Sequence, residues 1–149
     1  MFYVSLCYVP LCCCLHRRFG PEGSGPGQIG LTAAGLRFTT DGLHVVVAER
    51  GNARLSMFTV NGEFVRHIGV GVLANGVKDV ACTQGGNLVV ADCGNHRVCS
   101  FAADTGTLLR MWGTEGTTDG KLRFPVALCI AGSKLLLLDL YEPRLHVLG

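Results

Sequence analysis

The sequence predicts an all-β fold: an incomplete β-propeller of about three four-stranded blades. Three observations carry this prediction. A four-part phrase recurs, with Asp41-Gly42, Val45-Val46-Val47-Ala48-Glu49, Gly51-Asn52-Ala53-Arg54 and Asn61-Gly62 returning as Gly85-Gly86, Leu88-Val89-Val90-Ala91-Asp92, Gly94-Asn95-His96-Arg97 and Asp104-Thr105-Gly106. The matched arginines stand 43 positions apart, within the roughly 40–50 residues of a repeat built from four short strands. The apolar runs are short and bounded by turn residues, which favours strands over helices. Only 16% of residues are charged while 48% are hydrophobic, and so low a charge, against about 25% in soluble domains, fits strands covered on both faces.

The first repeat, 19–69, opens with the glycine- and proline-rich stretch Phe19 to Gly27, which reads as a loop crossing between blades. Leu36 to Thr40 is its first expected strand, and Asp41-Gly42 is a hairpin dipeptide. His44 to Glu49 follows, with a β-branched centre, then Arg54 to Val60. Asn61-Gly62 is a strong hairpin signal, and Glu63 to Ile68 completes the blade. The second repeat, 70–113, retraces this path through Val77 to Thr83, Asn87 to Asp92, Arg97 to Ala102 and Leu108 to Trp112. The third, 114–149, runs through Phe124 to Ala131, Lys134 to Asp139 and Arg144 to Leu148, one strand short. Leu15 to Gly20 resembles the fourth-strand endings Val65 to Gly69 and Leu108 to Gly113, so the sequence opens on a fourth strand. In a closed propeller such an offset lets one terminus complete the blade of the other. The expected partners of the outermost blades are therefore further blades of a longer chain, or a second chain.

Segment 1–18 is the apolar opening, and 19–149 the propeller repeats. No basic stretch precedes the apolar run as in a secretory leader, and the run is short for a membrane span of about 20 residues. A remnant strand is the favoured reading of 1–15; an uncleaved anchor touching a membrane, held by Arg17 and Arg18, and palmitoylation of Cys12, Cys13 and Cys14 are the alternatives. Cys7, those three, Cys82, Cys93, Cys99 and Cys129 include no C-x-x-C pair and no zinc-knuckle spacing. Reduced structural thiols in a cytoplasmic setting are expected. Disorder is excluded by the apolar content, and a net charge of +2 gives no argument for a nucleic-acid partner by itself.

The acid-x-Gly-Asn-x-Arg phrase has a local reason. Glycine permits the turn, asparagine bonds its own backbone there, and an arginine opening one strand pairs with the acid closing the strand before it. Glu49–Arg54, Asp92–Arg97 and Asp139–Arg144 are the expected structural clamps, with Asn52 and Asn95 in the turns.

Phe19-Gly20-x-Glu22-Gly23-Ser24-Gly25-Pro26-Gly27-Gln28 and Val90-Ala91-Asp92-x-Gly94-Asn95-His96-Arg97-Val98 resemble the NHL repeat, and Asp119 to Pro125 looks like that repeat's opening. The first repeat departs at Glu49 and Ala53, the third at Tyr141-Glu142-Pro143. The likeness implies an NHL-type propeller resembling those of TRIM-NHL RING ubiquitin ligases and related scaffold proteins. It implies a non-catalytic recognition scaffold, in which protein or peptide partners are the first expectation, RNA the second, and substrate recognition for a ubiquitin ligase-like protein a further one. Arg50, Arg66, Lys78, Arg110 and Trp112 are weak candidate binding residues; with Arg17, Arg18, His67, Lys121, Arg123 and Phe124 they would give one rim a basic, base-stacking face. Interleaved acids, Glu22, Glu63, Asp79, Glu115 and Asp119, favour a solvated mixed surface instead. No cofactor, metal or catalytic residue is expected. The alternative is part of a metalloenzyme propeller similar to the peptidyl-amidating lyase, whose channel histidines have no counterpart in the placing of His16, His44, His67, His96 and His146.

Overall fold

Each apolar run is too short for a stable helix and is closed by residues that reverse the chain, so the runs pair as antiparallel hairpins. A computed structural model describes Val4–Ser5 and residues 18–141 and 143–148. Its strands are β1 (Val4–Ser5), β2 (Arg18–Phe19), β3 (Ala33–Phe38), β4 (His44–Glu49), β5 (Arg54–Thr59), β6 (Phe64–Ile68), β7 (Val77–Cys82), β8 (Asn87–Asp92), β9 (Arg97–Ala102), β10 (Leu108–Trp112), β11 (Pro125–Ala131), β12 (Lys134–Asp139) and β13 (Arg144–Leu148). Among the described residues the only helical piece is a 3₁₀ turn, Cys93–Asn95. β3 to β6 form one four-stranded meander, β7 to β10 a second, and β11 to β13 a three-stranded third. β2 pairs with β1 rather than with any of these sheets. The remaining parts of the apolar segment 1–18, including Cys7, Cys12, Cys13 and Cys14 and the expected membrane contact, lie outside the described residues.

The three sheets are blades stacked through their faces, with the first strands β3, β7 and β11 side by side. Val46, Ala48, Leu55, Met57 and Ile68 of blade 1 meet Val77, Val80, Leu88, Val90, Cys99 and Phe101 of blade 2. Ala81, Val89, Ala91 and Val98 on the far side of blade 2 meet Leu128, Leu135 and Leu137 of blade 3. Strands β4 and β8 are thus buried on both faces, which is why they read as unbroken apolar runs rather than alternating ones. On the outer side of blade 1, Phe19 and Ile29 cover Val45, Val47 and Phe58, with the Phe19 and Phe58 rings 5.4 Å apart.

Turn chemistry sets the registers. Gly62 follows Asn61 with φ of 86°, a conformation that other residues take at a cost. Each first strand carries a bulge after its opening residue, at Ala33/Gly35, Val77/Asp79 and Pro125/Ala127. At the first of these, a Cβ on Gly35 would sit 2.8 Å from Asp79 Oδ1 and 2.9 Å from Asp79 Cα, so only glycine lets β3 approach β7 this closely. Asp79 then ties the blades together. Its Oδ2 accepts Leu128 N of β11 at 2.9 Å and lies 3.6 Å from Arg37 Nη2 of β3.

The expected strands shorten by one residue at Val60, Glu63 and Thr83, and two further boundaries differ from the sequence expectation. The first strand begins at Ala33 and ends at Phe38, because Thr39 opens the turn: its N–H still bonds His44 O at 3.0 Å, while its hydroxyl bonds Asp41 and receives His44 N at 3.1 Å. Phe124 precedes β11 instead of opening it, since its N–H is taken by Asp139.

Candidate functional site

In an antiparallel four-stranded blade, one face carries the turns joining strands one to two and three to four. The opposite face carries the two-to-three turns and the connections between blades. The repeated acids close β4, β8 and β12 on this second face, and their carboxylates are buried.

In blade 1, Glu49 receives Arg54 Nε at 3.1 Å, Asn52 Nδ2 at 2.6 Å and Gly30 N at 2.8 Å, together with the Ser56 hydroxyl. Burial alone would raise the Glu49 carboxyl pKa; the hydrogen bonds from Ser56, Arg54, Asn52 and Gly30 outweigh it and hold the group below its ordinary value. Arg54 Nη1 also donates to Ser24 O at 2.6 Å. In blade 2, Asp92 receives Arg97 Nε at 2.8 Å, Asn95 Nδ2 at 2.9 Å and Ala74 N at 3.0 Å, and Arg97 Nη2 donates to Val72 O at 2.6 Å. Each acid therefore captures an N–H of the connection entering its own blade, and each arginine captures a carbonyl of that connection. The phrase is a clasp that pins the inter-blade loop.

Blade 3 departs from the expected pairing. Asp139 and Arg144 face each other in register, but among the described residues no ion pair joins them. Asp139 instead accepts three backbone N–H groups, Arg123 at 2.6 Å, Phe124 at 2.9 Å and Tyr141 at 3.3 Å. Arg144 Nη1 donates to Thr117 O at 2.8 Å. The cause lies in the turn. Tyr141 stands where the glycine-asparagine pair belongs, so a backbone N–H does what Asn52 and Asn95 side chains do elsewhere.

That substitution builds a feature the other blades lack. With three amides fixed by one carboxylate, the Phe124 and Tyr141 rings meet edge to face at 5.6 Å. Arg123 stacks over Tyr141 at 5.3 Å, and Lys78 lies over Phe124 at 5.8 Å. Lys78 is the extra residue of the β7 bulge, the kind of position that re-aims a side chain. The result is a row, cation, ring, ring, cation, crossing from blade 2 to blade 3 on the clasp face. Tyr141 is 66% exposed. His96 Nδ1 donates to Arg123 O at 2.5 Å and supports the row from blade 2.

The five candidate binding residues are not brought together. Arg50 and Lys78 lie on the clasp face, Arg50 exposed beside Glu49. Arg66 lies in β6 and lines a cleft on the opposite face. Arg110 and Trp112 lie in β10, the outermost strand of blade 2, with the guanidinium 5.8 Å from the indole ring centroid. Sequence reasoning named Lys78, Arg123 and Phe124 for a basic rim but missed Tyr141. Its signal was its place in the turn two residues after the clasp acid of β12.

Two titratable groups lie near the clasps. His67 has a pKa held below its ordinary value by burial first and by Arg54 second. Arg54 Nη1 lies 3.4 Å from His67 Nδ1, and an arginine only donates, so the imidazole proton belongs on Nε2. Cys99, behind Asp92, has its thiol pushed up to about 11 by burial. Among the described residues no three His, Cys, Asp or Glu side chains gather as a metal site would require, and no helix is long and apolar enough to cross a membrane.

The comparisons with known proteins fit this architecture. Residues 75–101 match the NHL repeat, from the loop before β7 to β9. No curated protein matches the chain significantly. Among solved structures, it is similar to a protein of Bacteroides uniformis provisionally designated a 6-phosphogluconolactonase, with 17% identity, a TM-score of 0.64, and 89% of this chain aligned to 42% of that one. It is also similar to a catalytically inactive variant of virginiamycin B lyase from Staphylococcus aureus, solved with quinupristin, with 12% identity, a TM-score of 0.61, and 83% of this chain aligned to 38% of that one. The chain thus spans about two fifths of the length of these structures. The fold is that of an incomplete β-propeller containing an NHL repeat. The expectation that the chain is not an enzyme is corrected by these neighbours: they are named as enzymes, so this fold is no argument against catalysis.

Proposed function

We propose that the chain is a propeller recognition module that holds an extended acidic segment of a partner protein across its clasp face. The observation that carries this reading is the row Lys78, Phe124, Tyr141 and Arg123, the last three held through the Asp139 carboxylate. Two cations at its ends offer charge-assisted hydrogen bonds to carboxylates. The rings between them offer apolar contact at little entropic cost. NHL repeats serve generally in protein interactions, which supports a protein partner. A single-stranded nucleic acid would need a continuous basic track. Arg66 and Arg110 stand away from the row, and Glu115 lies 4.0 Å from His96 Nε2 beside it.

The test is fluorescence polarisation with a labelled polyglutamate decamer, run beside an oligo(U) of equal length. Saturable binding of the peptide, weakened by salt, is expected. A Lys78→Gln/Arg123→Gln variant should lose about tenfold or more in affinity, the loss of two charge-assisted bonds, while Arg66→Gln should leave it unchanged. Binding of oligo(U) with no affinity for the peptide would overturn the proposal.

A further inference from the structure

We infer that the cleft between blades 1 and 2 on the turn-bearing face, opposite the clasps, is a binding site for a compact zwitterion of dipeptide size. The cleft measures about 400 Å³, within the roughly 300–1,000 Å³ of small-ligand sites. It opens between the β3–β4 turn and β6 of blade 1 on one side and the β7–β8 and β9–β10 turns of blade 2 on the other. Its floor is apolar. Met57 is 3% exposed and Val65 packs against the same core that joins the two blades. On its far wall Gly85 and Gly86 leave the space open, since a Cβ on Gly86 would have no atom nearer than Thr40 Oγ1 at 3.9 Å.

Three charged groups line this space. Asp41 is positioned by its own turn: its Oδ1 accepts the Thr39 hydroxyl and Leu43 N at 2.9 Å. His44 Nδ1 stands 3.8 Å from its other oxygen. Asp104 opens the β9–β10 turn and accepts Thr105 N at 2.8 Å. Arg66 lines the blade 1 wall, and among the described residues it enters no ion pair. Two carboxylates and a guanidinium thus line one cleft without neutralising each other. A simple anion would meet the two carboxylates, and a simple cation would meet Arg66. A ligand bearing both an ammonium and a carboxylate satisfies all three: its carboxylate takes the planar guanidinium, its ammonium takes Asp41 and Asp104, and Thr39 and Asn87 offer further polar contacts. An apolar side chain between the two ends would lie on Met57 and Val65. The site shares no residue with the row on the clasp face, so it stands apart from the recognition of an acidic segment.

The test is isothermal titration calorimetry with leucyl-leucine, its N-acetyl form and its C-terminal amide. Leucyl-leucine should bind saturably, and blocking either end should weaken it about tenfold or more, one charge-assisted contact. In an Arg66→Gln variant the free dipeptide and its amide should become equal while N-acetylation still weakens binding. In Asp104→Asn, a change in an exposed turn, the penalty for N-acetylation should shrink while that for amidation persists. Far-ultraviolet circular dichroism confirms that each variant is folded. No saturable binding of leucyl-leucine at millimolar concentration would overturn the inference, as would affinity indifferent to both blocked ends or unaltered in both variants.

Discussion

Replacing Arg54 by methionine isolates what a clasp contributes. Arg54 is 8% exposed and Glu49 not at all, so the pair is desolvated. The Arg54→Met substitution keeps the aliphatic stem and removes two contacts to Glu49, at 3.1 and 3.4 Å, one to Ser24 O and one to His67 Nδ1. Breaking a buried ion pair from one side typically costs about 3–5 kcal/mol, because the surviving charge is left uncompensated. Here the survivor keeps donors from Asn52, Gly30 and Ser56, and the freed Ser24 carbonyl belongs to an exposed residue that water can reach. The cost therefore falls at the low end, about 3 kcal/mol. Against a total stability of roughly 5–15 kcal/mol this is large. Urea unfolding should show it as a lower midpoint with an unchanged slope. Glu49→Gln/Arg54→Met should recover much of the loss, since no buried charge then remains. Arg97, at 22% exposure, should cost less, about 2 kcal/mol. Arg144, exposed and turned to Thr117, should cost within about 0.5 kcal/mol. A loss below about 1 kcal/mol for Arg54→Met, or strict additivity in the double variant, would refute the reasoning.

Ala53 holds a left-handed φ of 51°, which costs a residue with a Cβ about 1–2 kcal/mol. Ala53→Gly should stabilise the chain by about 0.5 kcal/mol after the entropy of the unfolded glycine is counted, and a lower midpoint in urea would contradict this. Stability should fall on acidification in two windows. The folded His67 refuses a proton that the unfolded chain accepts below its ordinary pKa of 6.5, and Glu49 does the same below 4.5. Melting temperatures measured from neutral pH downward should drop through both windows, His67→Gln should abolish the first drop, and a rise on acidification would exclude the account. Among the thiols of the described residues, Cys129 is exposed while Cys99 is buried with its pKa near 11. Alkylation of the folded protein, mapped by mass spectrometry, should label Cys129 long before Cys99; equal rates would mean that blades 1 and 2 do not stay packed.

Much of the fold was legible because its information is local. Val45 to Glu49 and Leu88 to Asp92 lie between turn dipeptides that set their length. Thr39 misled because its N–H keeps a bond to His44 O while its hydroxyl takes His44 N and closes the turn there. The clasp acids and arginines of blades 1 and 2 were legible as pairs, but not their hold on Gly30 and Ala74, which lie 19 and 18 residues upstream. The aromatic row was only partly legible. Lys78 comes from a bulge, Phe124 from the connection before β11, and Tyr141 from a turn that read as a defect in the repeat. The Asp139 carboxylate, which closes β12, and the Leu140 N–H bonded to Phe124 O at 3.1 Å bring the last two together.

The two faces of the blades use different means to hold their chemistry, and this separates the two proposed sites. On the clasp face, buried carboxylates grip the connections between blades, so groups such as Arg123 and Tyr141 are placed by bonds that reach across 16 residues or only two. A ligand there meets a surface already ordered and bears little of the cost of arranging it. On the opposite face each hairpin turn is closed by its own backbone, as in Gly42 N to Thr39 O at 2.9 Å and Gly86 N to Thr83 O at 2.9 Å. The cleft between those turns therefore owes its width to how blades 1 and 2 pack, through Met57 and the core beneath it. Changes to Asp139 should disturb the row and leave the cleft intact, whereas a cavity at Met57 should do the reverse.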